Sequence, residues 1–414
     1  MGFTKIEHSD TNSRFFLDRK DILEDIEKIV CEYNATNRFY KLFTFYGMGG
    51  IGKSRLITEV YNRYQGTDCS VYNISLEILN HETVPAILLF IRKNFQYTPH
   101  FDYALFKYWD FILYKSVDRE DLMSISKKLL LRLGKKFDAI VGRGYIDTEP
   151  LILNLITLFE ERSITDEERK KVSNLLQDKI EELYIYLAEN LAKDIENELN
   201  GQKFMFLFDA YDLGRSSYKF DWLKYFINNF ENGLFFVTSR DPLGWFEHDS
   251  VDNSKVRSYS LENIPPEEVQ KFLCNKYQQD QIDCIIKNTG CIPLYLDLAL
   301  RMVNSNFSLI DEGVVFKTKE ELVRKFLSHF NADSQAIIEY LSIVKFFDIS
   351  IYERAVKFNN LSSLKYDFTN FKKSTIVRYV ENFDQLYKIH DVLAKNIAYF
   401  VNEEACKNIV CDYL

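Results

Sequence analysis

Lys41-Leu42-Phe43-Thr44-Phe45-Tyr46 runs directly into Gly47-Met48-Gly49-Gly50-Ile51-Gly52-Lys53-Ser54, and Arg55-Leu56-Ile57 comes next. The first six residues are a short apolar run rich in β-formers, and the last three open a helical pattern, so the stretch predicts strand, glycine loop and helix in that order. The loop satisfies G-x-x-x-x-G-K-[ST]. Its chemistry depends on the residue types. Glycines let successive backbone N–H groups turn inward onto phosphate oxygens, and the positive end of the next helix reinforces them. Lys53 is placed to neutralise the β- and γ-phosphates of a nucleoside triphosphate, and Ser54 to hold Mg2+, a hard cation that prefers oxygen ligands. Gly47, Met48, Gly49, Gly50, Ile51, Gly52 and Arg55 complete the expected phosphate cradle. A chance glycine-rich turn would have no reason to fall between a strand and a helix.

Working outward, residues 1–40 read as a leading segment, with Ile22, Leu23, Ile26, Ile29 and Val30 on one helical face. Downstream, Ser70–Ile74 is a second strand candidate, and residues from about 84 to 200 are helical in period. The last helix of that region starts at Thr165-Asp166-Glu167-Glu168, a capping box, and stops at Asn200-Gly201. Lys203-Phe204-Met205-Phe206-Leu207-Phe208 is too uniformly apolar to be half exposed, as expected of a buried strand in a parallel sheet. Leu234-Phe235-Phe236-Val237-Thr238 and, more weakly, Arg257–Leu261 complete the set. Strands separated by helices, with a phosphate loop after the first, predict a doubly wound α/β domain over 41–262 with a large helical insertion at about 84–200. A small helical domain is expected over 263–312. Helices and a terminal hairpin, Thr375–Val380 with Leu386–Ile389, predict a winged-helix domain over 313–414.

The 414 residues exceed one ordinary core, since domains run roughly 100–200 residues. With 46% hydrophobic and 27% charged residues and no apolar run long enough to span a bilayer, neither disorder nor a membrane span is expected. A net charge of -9 argues against a surface that is a general polyanion-binding field, so nucleic acid is not an expected partner. Seven scattered cysteines show no zinc-like spacing and read as reduced, mostly buried thiols. The opening MGFTKIEHSD lacks a secretion signal, which makes the cytoplasm the expected compartment.

Two further acids and one base bear on the chemistry. Asp209 ends an apolar strand, where a carboxylate would bind the magnesium through water. Asp212, three residues on, would orient or deprotonate the attacking water, or else merely starts the turn Asp212-Leu213-Gly214. Arg240 closes Val237-Thr238-Ser239-Arg240, where its guanidinium would contact the γ-phosphate; a surface ion pair is the plainer alternative. Lys53, Asp212 and Arg240 are the candidate catalytic residues, and Ser54 and Asp209 the candidate metal ligands.

In chain order, GMGGIGKS (47–54), FMFLFDAYD (204–212), VTSRD (237–241), NTGCIPLYL (288–296) and KIHDVL (388–393) resemble the STAND class of signal-transduction ATPases, the group that includes the NB-ARC and NACHT proteins. The resemblance implies a P-loop sheet in the order 5-1-4-3-2. It implies that Pro293, by itself a helix-start proline, packs against adenine from the small helical domain. It implies that His390, in Ile389-His390-Asp391, reaches the β-phosphate of ADP and locks a closed state, although a lone histidine beside a hairpin is usually structural. Arg19, in Phe16-Leu17-Asp18-Arg19-Lys20, is implied as an adenine contact.

The expected function is therefore a switch with slow, Mg2+-dependent ATP hydrolysis, closed with ADP and opened by ATP into a self-associating homo-oligomer, in bacterial signalling or antiviral defence. Effector and sensor parts are expected on other segments or chains. The rival expectation is a winged-helix DNA-binding ATPase of the replication-initiator or transcription-regulator type. Against it, Gly290-Cys291-Ile292-Pro293 carries proline where initiator ATPases of the AAA+ kind place arginine.

Overall fold

The computed structural model describes residues 19–33, 40–76, 84–114, 165–178, 180–211, 221–243, 245, 255–304, 323–324, 327, 330–361, 367–372, 376–380 and 385–413. The chain divides into two compact units. One comprises Glu27–Tyr46 and Ser54–Ser260, and the other Met1–Ile26, Gly47–Lys53 and Leu261–Leu414.

The first unit is built on five parallel strands, β1 (Tyr40–Tyr46), β2 (Cys69–Ser75), β3 (Lys203–Asp209), β4 (Gly233–Ser239) and β5 (Val256–Ser260), in the order β2-β3-β4-β1-β5. This is the expected order 5-1-4-3-2 read from the other edge. Burial depends on strand position. All seven residues of β4 are buried, as are the five central residues of β3, whereas the edge strand β5 is largely exposed. The apolar runs become cross-strand aromatic stacks, with Phe43 on Phe236 at 4.6 Å between centroids and Phe206 on Phe235 at 5.9 Å.

Helices connect the strands: α1 (Lys20–Glu32) precedes β1, and α2 (Lys53–Tyr64) links β1 to β2. Between β2 and β3 lie α3 (Val84–Arg92), α4 (Pro99–Tyr114), α5 (Asp166–Asp178) and α6 (Ile180–Leu199). The capping box at the start of α5 forms as read, with Glu168 Oε2 accepting from the Thr165 amide at 2.9 Å and Thr165 Oγ1 accepting from the Glu168 amide at 3.3 Å. Buried ionic groups join these helices. Arg92 makes a two-pronged bond to Asp102 at 2.9 and 2.8 Å, and Thr98 donates to the same carboxylate at 3.0 Å. Asp194 of α6 accepts from the amide of Phe101 at 3.0 Å in the first turn of α4.

The second unit packs α8 (Pro266–Leu273), α9 (Gln279–Thr289) and α10 (Pro293–Asn304) with a winged helix: α11 (Ala332–Val344), β6 (Phe346–Phe347), α12 (Ile349–Phe358), α13 (Phe368–Phe371), β7 (Val377–Tyr379), β8 (Tyr387–Ile389), α14 (Asp391–Phe400) and α15 (Glu403–Tyr413). The remaining helix, α7 (Trp222–Asn228), belongs to the first unit, between β3 and β4. The wing sheet is antiparallel in the order β6-β8-β7. One continuous apolar core runs from Ile264 and Leu273 through Leu296 and Ile337 to Ile389 and Ile409. All seven cysteines are free, but only Cys69 and Cys291 are buried; Cys31, Cys274 and Cys411 are exposed, which corrects the expectation of mostly buried thiols. Among the described residues no helix is long and apolar enough to cross a membrane.

Burial pushes the Asp194 carboxyl up to about 7, with Asp102 adding to the rise while the Phe101 amide and His100 oppose it. A carboxyl whose folded pKa lies above its unfolded value favours the folded state most when protonated, so this contribution is full at acid pH and is lost as pH rises through neutrality. Asp194→Asn removes that titration. The stability of the parent, measured by denaturant melts, should therefore fall relative to Asp194→Asn between about pH 4 and pH 8; parallel profiles would exclude Asp194 as the titrating group.

Candidate functional site

The glycine loop has the backbone its residues were expected to permit. Gly47, Gly50 and Gly52 take φ of 151°, 84° and 100°, values that L side chains rarely adopt. Gly47 is also sterically fixed, since a Cβ there would meet the Leu261 carbonyl oxygen at 2.5 Å. Met48 is half exposed at the tip of the loop, and Ile51 is buried. The Lys53 ammonium folds back over the loop and donates to the carbonyls of Gly47 and, at 3.0 Å, Met48. Those carbonyls hold the charge at the mouth of the loop, where an incoming phosphate would compete for it. Ser54 is exposed at the first turn of α2, and Arg55 beside it is partly exposed.

The loop also touches the helical part of its own unit. Gly290 and Cys291 both take left-handed conformations, φ 56° and 57°, and turn the chain out of α9 so that α10 begins at Pro293. The next amide, Leu294 N–H, donates to the Gly50 carbonyl at 3.3 Å. A Cβ on Gly50 would press on the Leu294 side chain at 3.3 Å. The turn expected to carry an adenine contact thus meets the phosphate loop directly. Pro293 itself is partly exposed at the head of α10.

In the other unit, β1, β3 and β4 run parallel with β4 in the middle, so Tyr46, Asp209 and Ser239 end at the same edge of the sheet. Asp209 is partly exposed there. Its Oδ1 accepts from Thr238 Oγ1 at 2.5 Å, and the same hydroxyl oxygen accepts from the Ala210 amide at 2.8 Å. Thr238, noted in the sequence only as a strand residue leading into the arginine motif, thus fixes the orientation of the acid. The register could have shown it, because Phe208 pairs with Val237 and the next position along each strand is polar. Arg240 is exposed just past β4, and Ser239 Oγ turns onto the Asp241 carbonyl at 2.6 Å.

The remaining candidates lie apart from this edge in the chain. Arg19 Nη2 donates to the Glu262 carbonyl at 2.6 Å, next to the Leu261 that abuts Gly47. His390 is the residue before α14, partly exposed, with its amide donating to the Ile376 carbonyl at 2.8 Å at the base of the wing. Asp212 lies outside the described residues.

No protein-family model matches the chain, and no curated protein matches it. Among solved structures, it is similar to the Aeropyrum pernix ORC1 protein in complex with DNA, at 13% identity and a TM-score of 0.38, with 98% of each chain covered. It is also similar to Drosophila ORC bound to DNA, at 8% identity and a TM-score of 0.31, covering 96% of this chain and 94% of the other. Both neighbours were solved on DNA, a finding that runs against the expectation that nucleic acid is not a partner. The net charge behind that expectation describes the whole surface, whereas a binding face is local.

Thr238→Val keeps the shape of the side chain and removes both hydrogen bonds. With the Ala210 amide left without its acceptor, the variant should lose about 1–3 kcal/mol in urea titrations; an unchanged midpoint would mean that Thr238 does not organise the end of β3.

Proposed function

We propose that the protein is a P-loop ATPase whose nucleotide occupancy is felt by its own helical and winged-helix unit. The observation that carries this reading is the bond from Leu294 N–H to the Gly50 carbonyl. A phosphate cradle works by aiming its backbone amides at the nucleotide, so binding, hydrolysis and release all act on the conformation of residues 47–53. A shift of Gly50 would break this bond or carry the first turn of α10 with it. That helix buries Tyr295, Leu296 and Leu298 in the core that also holds Ile337, Phe347 and Ile389 of the winged helix. Packed cores respond to such shifts by moving between discrete arrangements.

The residues fit nucleotide and metal. The glycine conformations suit a loop whose amides converge on phosphate, and Lys53 supplies the positive charge. Ser54 and Asp209 supply oxygen ligands for Mg2+, which would neutralise phosphate charge when bound. Thr238 holds Asp209 in one orientation, and Arg240 follows directly after β4.

For the output of the switch, engagement of duplex DNA by the winged helix is the favoured reading. Arg378 and Lys388 are register partners, so the sequence places two basic residues at one level of the wing hairpin. Tyr379 beside them is 52% exposed. Cationic residues interleaved with an exposed aromatic suit a nucleic-acid backbone. The competing output is the ADP-locked, self-associating switch, for which the support is the fixed position of His390 at the base of the same wing.

Calorimetric titration with ATP and Mg2+ tests the central reading. Lys53→Ala should weaken binding by roughly 10–100-fold, the loss of one charge-assisted contact; equal affinity would refute it. Anisotropy with a short duplex then separates the outputs. Binding that falls steeply with salt and weakens in Lys388→Glu supports DNA engagement. No binding at low salt, with ADP retained by the parent and released by His390→Ala, would support the lock instead.

A further inference from the structure

Two buried aromatic side chains hold a carboxylate that lies outside the phosphate cradle. Beyond Asp209 the chain makes an abrupt turn, because Ala210 takes φ 60°, a left-handed conformation that strains any residue with a Cβ. Such strain persists only where the surroundings enforce it. Thr238 holds the Ala210 amide from one side. From the other, Tyr211, 1% exposed, donates its hydroxyl to Asp221 Oδ1. The second oxygen of Asp221 accepts from the indole N–H of Trp245, which is 4% exposed and meets the Tyr211 ring edge-on at 5.7 Å. Trp245 lies in the segment after β4, five residues beyond Arg240.

Asp221 stands immediately before α7, the position from which an aspartate ordinarily caps its own helix, yet its side chain makes no capping hydrogen bond. The carboxylate accepts from two side chains of two different segments, with the Lys224 amide and ammonium of α7 adding to its surroundings. Burial pushes its carboxyl up to about 6, against the pull of the Trp245 hydrogen bond, so the fold keeps an acid where an apolar side chain would pack without that cost.

We infer that Asp221 is a positioning residue: it clamps the segment after β3 to the segment after β4 through Tyr211 and Trp245, and thereby sets the relative placement of Asp209 and Arg240. The inference rests on the ATPase reading and assigns this pair of segments a shared support. The clamp acts on the reacting end of the site and leaves the phosphate cradle alone. Loss of the clamp should therefore lower turnover and spare nucleotide affinity.

The test compares the full chain with Asp221→Asn, Asp221→Ala, Tyr211→Phe and Lys53→Ala, measuring ATP affinity, steady-state turnover and tryptophan emission, with Trp245→Phe identifying the Trp245 component. Both Asp221 variants should keep the dissociation constant for ATP within about threefold while kcat falls about tenfold or more, and Asp221→Asn, which retains one acceptor, should be the milder. Trp245 emission should shift in both. Should Asp221→Ala fail to fold, Asp221→Asn and Tyr211→Phe, each close to isosteric, carry the comparison. Folded variants with parental kcat, or with affinity and kcat falling together, would overturn the clamp while leaving the ATPase reading intact. A parent that hydrolyses no ATP, or a Lys53→Ala variant as active as the parent, would overturn the ATPase reading and the clamp with it.

Discussion

A fully parallel sheet must send every strand out through the same edge, and that constraint organises the molecule. Because β1, β3 and β4 are neighbours running one way, the chain reaches the glycine loop, Asp209 and Arg240 by leaving that edge three times. The phenylalanine stacks between these strands make the edge rigid, since moving one strand end would disrupt aromatic contacts on two others. Chemistry placed there inherits a fixed frame, and adjustable parts are confined to the loops at the strand ends.

Much of this was legible in the residues. The glycine loop, the uninterrupted apolar strands and Asp209 are local signals, each complete within about eight residues, and local signals survive translation into structure. The order of the sheet came with the family resemblance, and the structure bears that order out. The capping box at Thr165–Glu168 formed for the same reason, as both hydrogen bonds close within one turn. The couplings between distant residues could not be read. Asp221 meets partners ten residues before and 24 residues after it, and neither spacing has a periodic meaning. Thr238 depends on a strand register, and the Gly50–Leu294 bond joins positions 244 residues apart. The Arg92–Asp102 pair was invisible because charged residues in a helical stretch read as solvated faces until packing buries them.

Net charge is silent on where the charges lie. The surplus of acids over bases is spread over 414 residues, whereas the Arg378–Lys388 pairing occupies a single position of a small hairpin. Composition averages over the lengths at which recognition happens. A sum across the chain therefore says little about any face of it, and register supplies the detail that the sum conceals.

The continuous apolar core from Ile264 to Ile409 has a practical meaning for anyone dividing this protein into pieces. A cut placed between the short helices and the winged helix would open one interior into two exposed halves, each with a large sticky surface. The winged helix is thus not an appendage on a string. It shares one interior with the short helices, and those helices meet the glycine loop at Leu294, so a piece that keeps the wing without them keeps neither its packing nor its link to the loop.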